Sequence, residues 1–183
     1  MTTLVRFCRQ HPWAIAGASC YQAEDQTLQE TGAIGRRRRT AHPGEVIAVD
    51  EMSGYCVCIP VAIVKRLGLP NYHRFPHYYR DCTYILRATR SGFSAYLIGD
   101  ARIDHEGTIK STIQDFLPTT ANKPAILCRF RSVFFGRKSL FFLPTQFFYY
   151  LKKYTFFPGI FLFFIKLIGW STQLCFRAKH RPI

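Results

Sequence analysis

The sequence predicts an α/β fold that carries a basic, aromatic-rich helical tail at its C-terminal end. Three observations lead there. Apolar segments of strand and helix character alternate over roughly the first hundred residues, the order of a layered sheet-and-helix domain. Charge and aromatic content change abruptly near Lys110: residues 1–109 hold 13 Lys+Arg against 10 Asp+Glu, whereas 110–183 hold 12 against 1, so the formal +14 divides into +3 and +11. The long Phe/Leu/Ile runs of the second part are also flanked by Lys, which suits a bilayer interface better than a phosphate groove. With 183 residues, 48% hydrophobic and 20% charged, the chain is long and apolar enough to bury a core rather than remain disordered. The expected organisation is a domain over 1–110, a linker over 111–124 and the tail over 125–183.

Each element follows from local pattern. Leu4, Val5, Phe7 and Cys8 share a helical face over residues 4–11 until Pro12 stops it. Trp13 to Ala18 reads as a short buried strand. The polar stretch 19–44 contains a turn around Gly32 and Gly35 and the run Arg36 to Arg39, read as a solvated loop, with phosphate binding as the other use of four arginines. Val46 to Val49 is a strand, Ser53-Gly54 a turn, and Tyr55 to Ile59 a second apolar run. Pro60 suits a first helical turn, and Ile63, Val64 and Leu67 then share a face up to Gly68. Pro76 bars helical continuation from Phe75, so a new helix starts near Asp81, presents Tyr84, Leu86 and Ala88, and ends at Gly92. Ala95 to Ile98 is the last strand.

Beyond Lys110, Thr119 to Pro124 is polar and Pro-containing, and Ile126 to Phe135 is basic and aromatic. Phe147 to Lys153 predicts an amphipathic helix interrupted by Pro158-Gly159, and Ile160 to Trp170 continues the apolar trend with Lys166 inside it. Arg177, Lys179 and Arg181 follow. Tyr154 to Ile165 is uncharged for 12 residues, short of the roughly 20 needed to span a bilayer. If Lys166 snorkels, the stretch extends to Phe176 and a spanning helix stays open. The favoured reading is a pair of interfacial helices, and a tail packed on the domain or on an oligomer partner is the alternative.

The seven cysteines are odd in number and lack CxxC pairs, so they are expected to be reduced and mostly buried, with Cys56-x-Cys58 structural rather than zinc-binding. The N-terminal residues show no apolar signal-peptide segment. No RNA- or DNA-binding motif accompanies the basic charge, which disfavours a nucleic-acid partner.

Asp81 is the candidate chemical group. A carboxylate in a first helical turn sits where the helix dipole favours its charge, and one behind the His77/Tyr78 loop could take a proton from a hydroxyl. Taken by itself, the residue reads first as an ordinary helix-terminal charge paired with Arg80 or Arg87.

The order Val49-Asp50, Ser53-Gly54, Ile59-Pro60, Gly68-Leu-Pro-Asn71, His77-Tyr-Tyr-Arg-Asp81, Leu86-Arg-Ala88, Gly92-Phe93, Asp100-Ala101 and His105 resembles the C-terminal part of family 2 glycosyltransferases. It is most similar to the bacterial rhamnosyltransferase-like branch, whose members act in cell-wall or polysaccharide biosynthesis. The resemblance covers about residues 4–107 and implies a partial GT-A fold and an inverting transfer of a sugar from a nucleotide-sugar to a glycan or lipid-linked acceptor. Asp81 then takes the place of the base, Ser53 and Gly54 the loop under donor sugar and acceptor, and His77 and Tyr78 the acceptor pocket. His105 matches a histidine that in some relatives binds the divalent metal, Mg or Mn. The implied location is the cytoplasm, peripheral at the inner face of the cell membrane, with the tail on anionic lipid.

Two departures accompany the match. The family's acidic pair appears as Arg80-Asp81, and the Asp-x-Asp motif that holds metal and diphosphate does not occur: Asp100 and Asp104 are four apart, Asp50 and Glu51 adjacent. Residues 4–18 are similar to the helix and strand that follow that motif, so the chain is expected to begin inside a catalytic domain, with an apolar edge of a parallel sheet left open. The alternative to an enzyme is a truncated, noncatalytic remnant or partner subunit that binds membrane or glycan.

Overall fold

The computed structural model describes residues 2–106, 111–118 and 125–176. It is a mixed α/β structure that divides into two compact units, residues 1–70 with 80–108, and residues 71–79 with 109–183. The predicted linker Thr119 to Pro124 and the basic residues Arg177, Lys179 and Arg181 lie outside the described residues.

The first unit is built on a mixed sheet. α1 (Thr2–Gln10) buries Leu4 and Cys8 one turn apart and ends ahead of Pro12. β1 (Ala14–Gln22) runs parallel to β7 (Ser94–His105), pairing Ala14 with Ser94 through Ala18 with Ile98. The register then shifts, so that Ser19 faces Arg102. β4 (Val46–Ala48) adds antiparallel to β7 and β6 (Val57–Cys58) antiparallel to β1, giving the order β4-β7-β1-β6. The expected open edge of a parallel sheet is therefore not present: the parallel pair is interior, and short antiparallel strands form both edges, which limits edge pairing.

Alternation along β1 and β7 sets the layers. Ile15, Ala95 and Leu97 pack with Ile63 of α2 (Val61–Leu67) and with Ile85 and Ala88 of α3 (Arg80–Arg90), one helical turn apart. Ala16, Ala18 and Ile98 point the other way, to Leu4 and Cys8 of α1. With helices serving both faces, β1 is buried from Ala14 through Cys20. A second, three-stranded antiparallel sheet has the order β3-β2-β5, from β2 (Gly32–Ile34), β3 (Arg37–Arg39) and β5 (Glu51–Met52). The arginine run predicted as a loop is thus an edge strand; its side chains are all exposed, and the backbone pairs Ala33 with Arg38.

The second unit is helical. A 3-10 turn (Ile113–Phe116), α4 (Ile126–Phe135), α5 (Leu143–Tyr154) and α6 (Phe156–Phe176) bury Ile113, Val133, Phe134, Phe141 and Leu174 together, with Phe116 and Trp170 against them. Segment 71–79 is fastened to α5. The Thr145 hydroxyl donates to the Arg74 carbonyl at 3.0 Å, and the buried Gln146 amide donates to the Leu140 carbonyl at 2.6 Å and the Tyr79 hydroxyl at 3.2 Å. Tyr79 stacks on Tyr149 with centroids 4.2 Å apart.

The predicted break at Pro158-Gly159 is displaced. α5 ends at Thr155, whose φ of 67° is left-handed, and Pro158 falls in the first turn of α6, where no backbone N–H is required. Gly159 is needed for packing instead: a Cβ there would stand 2.7 Å from the Tyr150 carbonyl oxygen. α6 is one continuous helix whose Phe156–Cys175 stretch is long and apolar enough to cross a membrane by length and composition. Phe157, Phe161, Phe164 and Ile168 on it are exposed, while Phe163 packs edge-on to Phe147 of α5 at 5.3 Å.

Candidate functional site

Asp81 lies in the first turn of α3, as predicted, and its carboxylate is fixed from a loop 27 residues earlier. The Gly54 backbone N–H donates to Asp81 Oδ2. That approach requires glycine: a Cβ at position 54 would sit 2.8 Å from both Asp81 Cβ and Oδ2. Ser53 holds the loop by donating its backbone N–H to the Thr31 carbonyl at 2.8 Å, next to β2. Thus Ser53, Gly54 and Asp81 come together in the first unit. Arg87, the ion-pair partner considered from sequence, is directed elsewhere: its Nη2 donates to the Leu69 carbonyl at 3.3 Å and its guanidinium lies 5.0 Å over Tyr84. Asp81 is half-buried, and its second carboxylate oxygen has no partner among the described residues.

His77 and Tyr78 belong to the second unit, where they line a cavity of about 330 Å³ with Phe116, Ser132, Lys138 and Ser139. The His77 and Tyr78 rings meet edge to face at 4.7 Å, and Tyr78 stands at 84° to Phe116, 6.1 Å away. Burial pushes the Tyr78 hydroxyl above its ordinary pKa, reinforced by the nearby Asp115 carboxylate, so it remains a protonated donor. Phe116, Ser132, Lys138 and Ser139 were not among the residues singled out from sequence. They lie 38 to 62 positions beyond His77 and Tyr78, and no short motif links them.

His105 ends β7 half-buried against Tyr55, ring centroids 5.0 Å apart. Its neighbour Asp104 is engaged by Arg102 at 2.7 Å. Among the described residues no three His, Cys, Asp or Glu side chains are grouped to hold a metal ion, so His105 offers one imidazole without a ligand set.

The cysteines are all free thiols, but only Cys8 and Cys20 are fully buried; Cys56, Cys58 and Cys82 are half-buried, and Cys128 and Cys175 exposed, which corrects the expectation of mostly buried thiols. Cys56 and Cys58 pack beside the α1 cluster. In comparison with known proteins, no family model matches the chain and no curated protein matches it in sequence.

Proposed function

We infer that this chain supplies the acceptor side of a glycosyl transfer carried out at a membrane surface, in the manner of a family 2 glycosyltransferase with a partial GT-A fold. The carrying observation is the contact between Gly54 and Asp81. A carboxylate at a helix start, gripped through one oxygen by a backbone N–H and offering the other, is a positioned proton acceptor. In the reaction an acceptor hydroxyl oxygen bonds to the anomeric carbon as the bond from that carbon to the nucleoside diphosphate breaks; the hydroxyl proton passes to Asp81 and the diphosphate leaves with the bonding electrons. His105 alone is too few donors for a metal.

The tail supports the membrane part of the reading. Exposed Phe157, Phe161 and Phe164 on α6, with Lys152, Lys153 and Lys166 nearby in sequence, suit an anionic lipid surface at the cytoplasmic face. A second reading, a noncatalytic partner that binds membrane or glycan, draws on the lack of an Asp-x-Asp pair in these residues.

The test is release of nucleoside diphosphate and gain of sugar by membrane acceptors when the full chain is incubated with a panel of nucleotide-sugars and Mn²⁺ or Mg²⁺. Asp81→Asn should lower transfer by about 10²–10⁴-fold, the usual worth of a general base, while leaving nucleotide binding unchanged. Equal turnover in Asp81→Asn removes the assignment. Absence of saturable nucleoside diphosphate binding by the wild type selects the second reading.

A further inference from the structure

The cavity of the second unit has a lining that contact with a neutral sugar does not require. Besides Tyr78 and Phe116 its lining includes Lys138, His77, Ser132 and Ser139, and no Asp or Glu among the described residues. The one acid of this unit, Asp115, is committed: its Oδ2 accepts the backbone N–H groups of Ser111 and Thr112, at 3.0 and 2.7 Å, and the Thr112 hydroxyl at 2.8 Å. The Ser139 side chain accepts the Phe141 N–H at 3.1 Å and keeps its hydroxyl hydrogen to donate. The Ser132 hydroxyl donates to the Phe116 carbonyl at 2.9 Å, holding the aromatic wall in place. A cation, an imidazole and a hydroxyl donor, with the nearby Asp115 outside the lining, recognise a phosphoryl group, and two rings set nearly perpendicular recognise the apolar face of a pyranose. At about 330 Å³ the space suits one such molecule.

We propose that this cavity binds a phosphoryl group borne on a sugar, with Lys138, His77 and Ser139 on the phosphate oxygens and Tyr78 and Phe116 on the sugar ring. As an identification of the acceptor it rests on the glycosyl-transfer reading above; as a binding site it stands by itself. The acceptor class is then a sugar phosphate ester, free or lipid-attached, rather than an unmodified glycan.

Calorimetric titration of the full chain in detergent with glucose 1-phosphate, glucose and inorganic phosphate is the test. Saturable binding of glucose 1-phosphate is expected, with weaker binding of inorganic phosphate and none of glucose. Lys138→Gln should weaken glucose 1-phosphate about tenfold, the loss of one charge-assisted hydrogen bond, and Lys138→Arg should retain it. Lys138 is exposed, so neither variant disturbs the core. Equal binding of glucose, or indifference to Lys138→Gln, overturns the proposal. So does a Lys138 dependence seen only with phosphatidylglycerol vesicles, which would make the cavity a lipid-headgroup site. Glucose 1-phosphate binding without any sugar transfer leaves the cavity standing and removes the transferase. Transfer to an unphosphorylated acceptor at full rate in Lys138→Gln does the reverse.

Discussion

The two units solve different problems with different residues. The first holds 12 Lys+Arg against 10 Asp+Glu, and the second 13 against 1. In the first, a central strand of mostly small residues, Ala14 to Cys20, lets helices approach from both faces, and the candidate chemical group is set by backbone: Gly54 reaches Asp81 because it has no side chain. In the second, aromatic rings share the core with aliphatic side chains and side chains do the positioning, as with Gln146 and Thr145 on segment 71–79. A backbone-built site tolerates little change at its contact point, whereas a surface built from many exposed cations and rings loses function by degrees.

Core truncation should show the largest effects and test whether both units are equally well packed. Phe134, fully buried in the second unit, should cost about 3–5 kcal/mol as Phe134→Ala, and Ile85 in the first about 2–5 kcal/mol as Ile85→Ala. Hydrogen exchange would report each loss in the amides of the altered unit. A cost below about 1 kcal/mol for Phe134→Ala would mean that the aromatic cluster is loosely packed.

Next in size is the backbone contact. Gly54→Ala places a methyl group 2.8 Å from Asp81 and should cost about 1–3 kcal/mol, as overpacking does. Transfer should fall with it, because the carboxylate must move. A Gly54→Ala protein with wild-type stability and turnover would break the contrast between the units. In the second unit the corresponding change is graded. Each Lys removed at 152 or 153 should cost about 1 kcal/mol of binding to anionic vesicles, measured by co-sedimentation of the full chain at low salt. Indifference of that binding to salt would remove the electrostatic part of the membrane reading.

The same contrast separates what the sequence reveals from what it hides. The helix around Asp81 was legible because Pro76 and Gly92 bracket an apolar face, and α1 because Pro12 stops it. The far end of β1 was not, since Ser19 and Cys20 open a polar stretch and are buried by partners distant in sequence: the strand pairs with Arg102 and Ile103 more than 80 positions away, and the Ser19 hydroxyl donates to the Ala41 carbonyl. Arg37 to Arg39 concealed a strand because all three side chains point to solvent. The helix break at Thr155 has no sequence signal, because nothing local marks a threonine for left-handed φ, while Pro158 gave a false one. At the site, the motif order joined Gly54 to Asp81. The cavity partners Lys138 and Ser139 escaped because only the folding of the second unit brings them to His77 and Tyr78.

At alkaline pH the two units should agree. Burial, followed by the neighbouring Cys58, pushes the Cys8 thiol from 9.0 to about 12 in the first unit; burial, followed by Tyr154, pushes the Tyr150 hydroxyl from 10.0 to about 12 in the second. Both groups are neutral when protonated, so the fold favours the protonated form and the unfolded chain releases the proton first. Their stabilising contribution is therefore complete below about pH 9 for Cys8 and about pH 10 for Tyr150, and is lost as the pH rises towards 12. Urea midpoints should fall over that alkaline range, less steeply in Cys8→Ala and in Tyr150→Phe than in the wild type. Alkylation provides the control: below about pH 9 exposed Cys128 should react quickly and Cys8 only on unfolding, since the thiolate is the reactive form. Rapid labelling of Cys8 in the folded chain would show that α1 does not seal its face of the sheet.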